Sequence, residues 1–331
     1  MENKNILYMG QPSTTINVYN GAITAALSND ENAMNWVYNN YINIFCSSID
    51  GSYYFDNSYW EQYVCPFMYN HMIPRELLKM WKISIKNLII DSININSYLG
   101  FYVDKFYIRE TPEYKKKHYT HGIFIYGYDI DKNIAYCCTS LNIGKFEYFT
   151  TDIEDIENAY WSINNTTVYT GKIHVLKRLY INDLGVDGYQ LDPRVIKTNI
   201  ENYIYSICTL KVISSSAMIF GYDSILRLQE TVKNINEKYI DQRVFHLLWE
   251  HKTIMVKRLE KMNQLCLLSN AEYFHEYYAK IANEYLVLRN MVIKYNVNRN
   301  QINLKTIIQK LTDLSTDEYV ILKDLVGNIR L

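Results

Sequence analysis

The chain is predicted to be an α+β protein, with helices flanking an antiparallel sheet over residues 1–190 and a helical region over 191–331. Three observations carry this. Runs rich in aromatic and β-branched residues, separated by turn residues, crowd the stretch from Ser97 to about Ile181. From about Asp192 onward, apolar residues recur at three-and-four spacing. No Gly/Ser- or Pro-rich linker divides the two stretches, so the helical region is expected to be packed rather than tethered.

Composition agrees with a folded chain. Of 331 residues, 48% are hydrophobic and 21% charged, which excludes a disordered polymer. Lys and Arg number 34 against 35 Asp and Glu, so no global field recruits nucleic acid or an anionic membrane. The 32 tyrosines, with only 12 glycines and 5 prolines, fit an AT-rich genome or aromatic lining of a long ligand channel. Six cysteines show neither a CxxC pair nor Cys/His ligand spacing, which argues against structural zinc. Cys137 and Cys138 are neighbours in an apparent strand and point to opposite faces, so a disulfide framework is not expected. No run has the length of a secretory signal or a membrane span, and a cytoplasmic location is expected.

The first helical signal runs from Asn20 to Cys46, broken by the polar SNDEN. A Tyr-rich loop follows, DGSYYFDNSYWEQYVCPFMYNHMIP. Arg75 to Ile95 reads as one long amphipathic helix through Leu78, Trp81, Ile85, Leu88 and Ile89. YLGFYVDKFYI, HGIFIYGYDI, NIAYCCTSL and KFEYFTT read as strands, the middle two joined as a hairpin by DIDKN. DIEDIENAYWSI opens a helix with acids in its first turn, where the dipole favours them. YTGKIHVLKRLYI is a further strand. Helical periodicity then marks 195–220, 222–240, 243–267, 271–295, 303–313 and 316–329.

Acyl transfer of the cysteine type needs a nucleophile at a helix N-terminus, a histidine base from a distant strand and an orienting polar group. His121, at the head of GIFIYGYD, is the best-placed base; a partly exposed capping residue is its bland alternative. The helix start INVYNGAITAAL suits a nucleophile but carries none, since Thr24 is internal. Cys46 and Cys65 read as small buried hydrophobes. His246 and His251 are five residues apart on a helix, which fails the HExxH spacing, so they read as packing or ion-pairing residues. Nucleotide-binding, kinase and GxSxG signatures are absent from the sequence.

HGIFIYGYDIDKNIAYCCTSLNIGKFEYFT resembles the H-x-I-L-V-Y-G-Y-D signature of the butirosin-H-type proteins, bacterial acyltransferases with a papain-like, leader-peptidase-like core. CPFMYNHMIPRELLKMW, YLGFYVDKFYI and DQRVFHLLWEHKTIM are similar to further blocks of that family, and the similarity spans residues 15 to 265 or so. The resemblance implies a papain-like cysteine-acyltransferase core. It implies acyl transfer from the phosphopantetheine thioester of a carrier protein to an amine, in nonribosomal antibiotic-type biosynthesis, with no metal or other cofactor. The family's H-C-x-x-T-A-L helix start matches NGAITAAL and puts Ala22 in the place of the nucleophilic cysteine. His121 falls on the base. Thr139 falls where the family has an orienting Asp, and Asn142 is the substitute for that role. Asn17 or Asn20 is implied as an oxyanion donor.

Ala22 admits an introduced Cys→Ala change, the leading explanation, or a native alanine. The implied partners are an acyl or peptidyl carrier protein and an amine such as a diamine, with neither nucleic acid nor membrane. The alternatives are a cysteine peptidase or hydrolase on the same core, and a non-catalytic carrier-protein-binding pseudoenzyme. The run Lys115–Lys117 reads as a solvated loop that could also meet an acidic carrier.

Overall fold

The computed structural model describes residues 3–56, 65–141, 145–164, 166–167, 170–209, 217–235 and 239–331. The chain runs β1 (Lys4–Ile6), α1 (Val18–Leu27), α2 (Glu31–Asn40), β2 (Ile44–Ser47), β3 (Tyr53–Phe55) and β4 (Met68–Pro74). Next come α3 (Arg75–Trp81), α4 (Ile85–Asn94), β5 (Ser97–Asp104), β6 (Thr120–Asp129), β7 (Ile134–Ser140) and β8 (Phe146–Asp152). Then follow α5 (Ile153–Trp161), β9 (Lys172–Arg178), α6 (Pro193–Ile204), β10 (Met218–Phe220) and α7 (Gly221–Lys233). The last three helices are α8 (Gln242–Gln264), α9 (Ala271–Asn298) and α10 (Gln301–Asn328).

These elements form two compact units, Met1–Ala33 with Gln62–Gly188, and Met34–Glu61 with Tyr189–Leu331. The first is the expected α+β unit. Its seven-stranded sheet has the order β4-β9-β5-β6-β7-β8, with β1 also on β6, and every pairing is antiparallel. Strand β5 is buried nearly throughout because both of its neighbours and both of its faces are covered. On one face, Leu99, Phe101 and Val103 of β5 and Ile123 and Ile125 of β6 meet Ile85, Ile89 and Ile93 of α4 and Ile153 and Ile156 of α5. Helix α1 packs against β6 and β7.

Three expectations are corrected here. Strand β4 lies within the stretch read as a Tyr-rich loop, paired residue for residue with β9. The single helix expected from Arg75 to Ile95 is two, because Lys82 turns left-handed (φ 55°) and Ser84 caps a new start by accepting from the Asn87 N–H. Ile44–Ser47 is a strand between β10 and β3, not the end of a helix.

Residues 34–61, expected with the sheet, cluster with the C-terminal helices instead. Side chains from α8 hold them: Arg258 donates to the Tyr41 carbonyl at 2.7 Å and also to that of Tyr38, and His251 Nε2 donates to the Ile42 carbonyl at 2.6 Å. Helix α8 buries a broad face that includes His251, Lys252 and Arg258. Helix α9 buries one seam, Ala271, Phe274, Tyr278, Ile281, Tyr285, Leu288, Val292 and Tyr295, at strictly alternating three-and-four spacing. The two helices expected over 303–313 and 316–329 are one helix, α10, whose seam includes Ser315 and Glu318.

Both polar seam residues have a partner inside the unit. Gln229 of α7 donates to Ser315 at 2.8 Å, and Lys252 of α8 meets Glu318 at 2.6 Å inside the unit. Lys252 also lies over the rings of Tyr203 and Tyr285 and bonds His251 Nδ1 at 2.9 Å. Burial pulls Lys252 down and Glu318 up, and each ion opposes the other's shift. Removing one partner strands the other charge. Lys252→Met or Glu318→Gln alone should therefore lower the stability of the helical unit by about 3–5 kcal/mol, whereas the double change to apolar residues costs less than the two singles summed. Urea unfolding followed by circular dichroism measures both.

Among the described residues, no helix is long and apolar enough to cross a membrane.

Candidate functional site

Strand pairing delivers His121 and Thr139 to one another. His121 opposes Val103 across β5–β6, while Thr139 sits on β7, whose Cys138 opposes Phe124. His121 Nδ1 lies 3.1 Å from the Gly122 carbonyl and 3.2 Å from the Thr139 hydroxyl. Thr139 itself donates to that carbonyl at 2.6 Å. Both neighbours of Nδ1 are thus acceptors, so the neutral ring carries its proton there and leaves Nε2 as the accepting edge. Burial, then the Lys105 cation, lowers the His121 pKa to about 4, with the Gly122 carbonyl pulling the other way. Lys105 is buried and donates to the Ser140 carbonyl at 2.5 Å, and Tyr119 stacks on the imidazole with ring centroids 5.7 Å apart.

Helix α1 belongs to the other face of the sheet. The Tyr19 ring lies over Gly100 and Gly122, where an added Cβ would stand 2.3 Å and 3.3 Å from its carbons, and Val18 adjoins Gly122 as well. Adjacent strand residues point to opposite faces, so a helix seated over Gly122 is on the side away from His121. Thr139, bonded to His121, and Ile123, packed with α4 and α5, mark His121's face. Ala22 is fully buried, one turn beyond Val18 and Tyr19 on α1. The expected juxtaposition of Ala22 with His121 is therefore not found; the alternation of β6 separates them.

The remaining expected residues are located as follows. Asn17 is the N-cap of α1, its side-chain oxygen accepting from the Tyr19 N–H at 2.8 Å, which orients that oxygen toward the helix. Asn20 is buried, and its amide nitrogen has no hydrogen-bond partner among the described residues. Asn142 lies outside the described residues. Cys46 and Cys65 are buried, and burial raises the Cys46 thiol. Cys137 and Cys138 are wholly buried and raised well above the ordinary thiol value, the reverse of what a nucleophile needs. Among the described residues, no two cysteines are joined by a disulfide. Among the described residues, no group of three or more His, Cys, Asp or Glu is placed to hold a metal ion.

The histidine that α1 does approach is His174 of β9, which sequence reasoning passed over. Its ring meets Tyr19 edge-on with centroids 5.4 Å apart, and its Nδ1 is 3.1–3.2 Å from the amide of Asn70 on β4. Burial, then Lys172, lowers its pKa to about 4. Burial and nearby Tyr102 keep the Tyr19 phenol protonated, and its hydroxyl has no hydrogen-bond partner among the described residues. The arrangement offers two neutral imidazoles, one on each face of the sheet. The hydroxyl bonded to His121 has its hydrogen committed to a carbonyl, so neither face presents an activated nucleophile among the described residues.

No protein-family model matches the chain, and no curated protein matches it.

Two predictions follow from the geometry. Gly100→Ala drives a methyl into the Tyr19 ring and should destabilise the sheet unit by about 1–3 kcal/mol, with partial recovery in Gly100→Ala/Tyr19→Leu, read by thermal unfolding. The second concerns acid. Between about 4, where His121 and His174 titrate when folded, and the ordinary 6.5, the unfolded chain takes up protons that the folded chain refuses. Stability is then fully present above 6.5 and falls as pH is lowered through that window. His121→Gln and His174→Gln should each flatten the slope of unfolding free energy against pH.

Proposed function

We propose that this chain is a non-catalytic binding protein on the scaffold of the butirosin-H-type acyltransferases, receiving an acyl or peptidyl carrier protein without turning over its thioester. The observation that carries the reading is the placement of α1. Its nucleophile slot is Ala22, taken as the protein's own residue, and its first turn faces Gly100 and Gly122 rather than His121. The antiparallel sheet with flanking helices supports the scaffold. Thr139 in place of an acid supports loss of turnover, because a hydroxyl stabilises an imidazolium less than a carboxylate does. The low pKa of His121 points the same way, since a base poised well below neutrality drives proton transfer weakly. On this reading the protein works in the reducing cytoplasm, which leaves its six cysteines as thiols.

The test uses acyl-loaded carrier proteins with the wild type and Ala22→Cys. Calorimetry should detect binding by both, and intact mass should show neither an acyl-enzyme nor, with a panel of diamines, an amide product. An acyl thioester on Ala22→Cys would restore the transferase reading, and absence of binding to any carrier would remove this one.

A further inference from the structure

The excursion between β5 and β6 is built more firmly than an open loop requires. Asp104, its side chain 8% exposed, accepts from the Phe106 and Tyr119 N–H groups at 3.1 and 3.0 Å and pairs with His118 Nδ1 at 2.6 Å. The main chain closes on itself through Lys105 N–H to the Tyr119 carbonyl and Lys115 N–H to the Phe106 carbonyl. Buried Thr111 donates to the Lys105 and Ile108 carbonyls, and the His118 ring stacks on Phe106 with centroids 4.2 Å apart.

What this frame holds outward is positive charge. Lys115, Lys116 and Lys117 are all exposed, and His118 beside them has 67% of its side chain in solvent. Lys115 lies over the Tyr114 ring, Lys117 lies over the Tyr119 ring, and none of the three lysines joins an ion pair among the described residues. Arg109, by contrast, is already committed to Asp152 and Asp155. In a chain of net charge -1, this is a local concentration of unspent cations on a pre-ordered support. Ordering the loop in advance removes part of the entropy that a flexible lysine tail loses on binding.

We propose that residues 105–121 form a docking platform for a compact acidic surface on a partner protein, which on the reading above is the carrier protein itself. Three adjacent lysines match a carboxylate cluster of similar size. An extended nucleic acid needs a stripe of cations along its length, and here Glu110 and Glu113 interrupt the same loop.

The experiment compares the full-length wild type with Lys115→Glu/Lys116→Glu/Lys117→Glu, whose exposed positions should leave the circular dichroism spectrum and Tm unchanged. Affinities are measured at low and raised salt for an apo-carrier protein, a polyglutamate peptide and a single-stranded oligothymidylate. The expected result is salt-sensitive binding of carrier and polyglutamate, weakened about tenfold or more by the triple reversal, with weaker binding of the oligonucleotide. If the carrier binds equally well to the reversed variant, the platform is overturned while the proposed function stands. If only polyglutamate binds and the reversal abolishes it, the platform stands and the carrier reading falls. Binding of neither acidic probe, or tighter binding of the oligonucleotide, overturns the platform.

Discussion

The seat of Tyr19 over Gly100 and Gly122 decides what the sheet unit can do. A side chain at Gly100 would overlap the ring and one at Gly122 would crowd it, so the two positions act as a notch that receives the first turn of α1. Once the helix is seated there, the pleat assigns every residue of β6 to a side. Gly122 and Phe124 share the face of α1, and His121, Ile123 and Ile125 take the other, where α4 and α5 close over the two isoleucines. The register irregularity in β6 falls between Ile125 and Gly127, beyond His121, and so does not return the imidazole to the helix side.

That constraint explains why motif letters and site geometry part company. Placing His121 beside Thr139 needed only the order of two consecutive antiparallel strands, and the pair is found in contact. Placing His121 opposite Ala22 needed the face on which α1 lands, which depends on a notch formed by residues 22 positions apart in sequence and about 80 to 100 from Tyr19. The Asn70–His174 contact was hidden for a related reason. It requires knowing that Met68–Pro74 is a strand, whereas that stretch lacks a clean alternation because it pairs on one side with β9 and has exposed tyrosine, histidine and methionine among its residues. The central strands were legible because they are buried on both faces and read as aromatic and β-branched runs. The helical seams were legible because periodicity is a local property.

The same distinction holds in the helical unit. Periodicity marks α8 as a helix but does not say that it is central, since His251, Lys252 and Arg258 look like surface residues by type. They are buried because each has a partner supplied from elsewhere: Ile42, Glu318 and the carbonyls of Tyr38 and Tyr41. His246, read as a packing or ion-pairing residue, pairs with Glu250 at 3.0 Å. These long-range partners also account for the allegiance of residues 34–61, a segment whose own composition gives no hint that it belongs with helices that follow it by about 150 positions or more.

Burial acts in one direction on the ionisable groups around the sheet. It lowers His121 and His174, raises Cys137 and Cys138, and raises Tyr19, so at neutral pH each of these stays uncharged. Uncharged groups in a close-packed interior can give shape and hydrogen bonds but no long-range field. Lys105 is buried and directed at a backbone carbonyl, so it adds little outward potential. Any recognition by charge in this unit must therefore come from the surface. There the Asp104-braced excursion between β5 and β6 is set apart by three exposed lysines with no salt-bridge partner among the described residues, held on a frame that does not have to be ordered when a partner arrives.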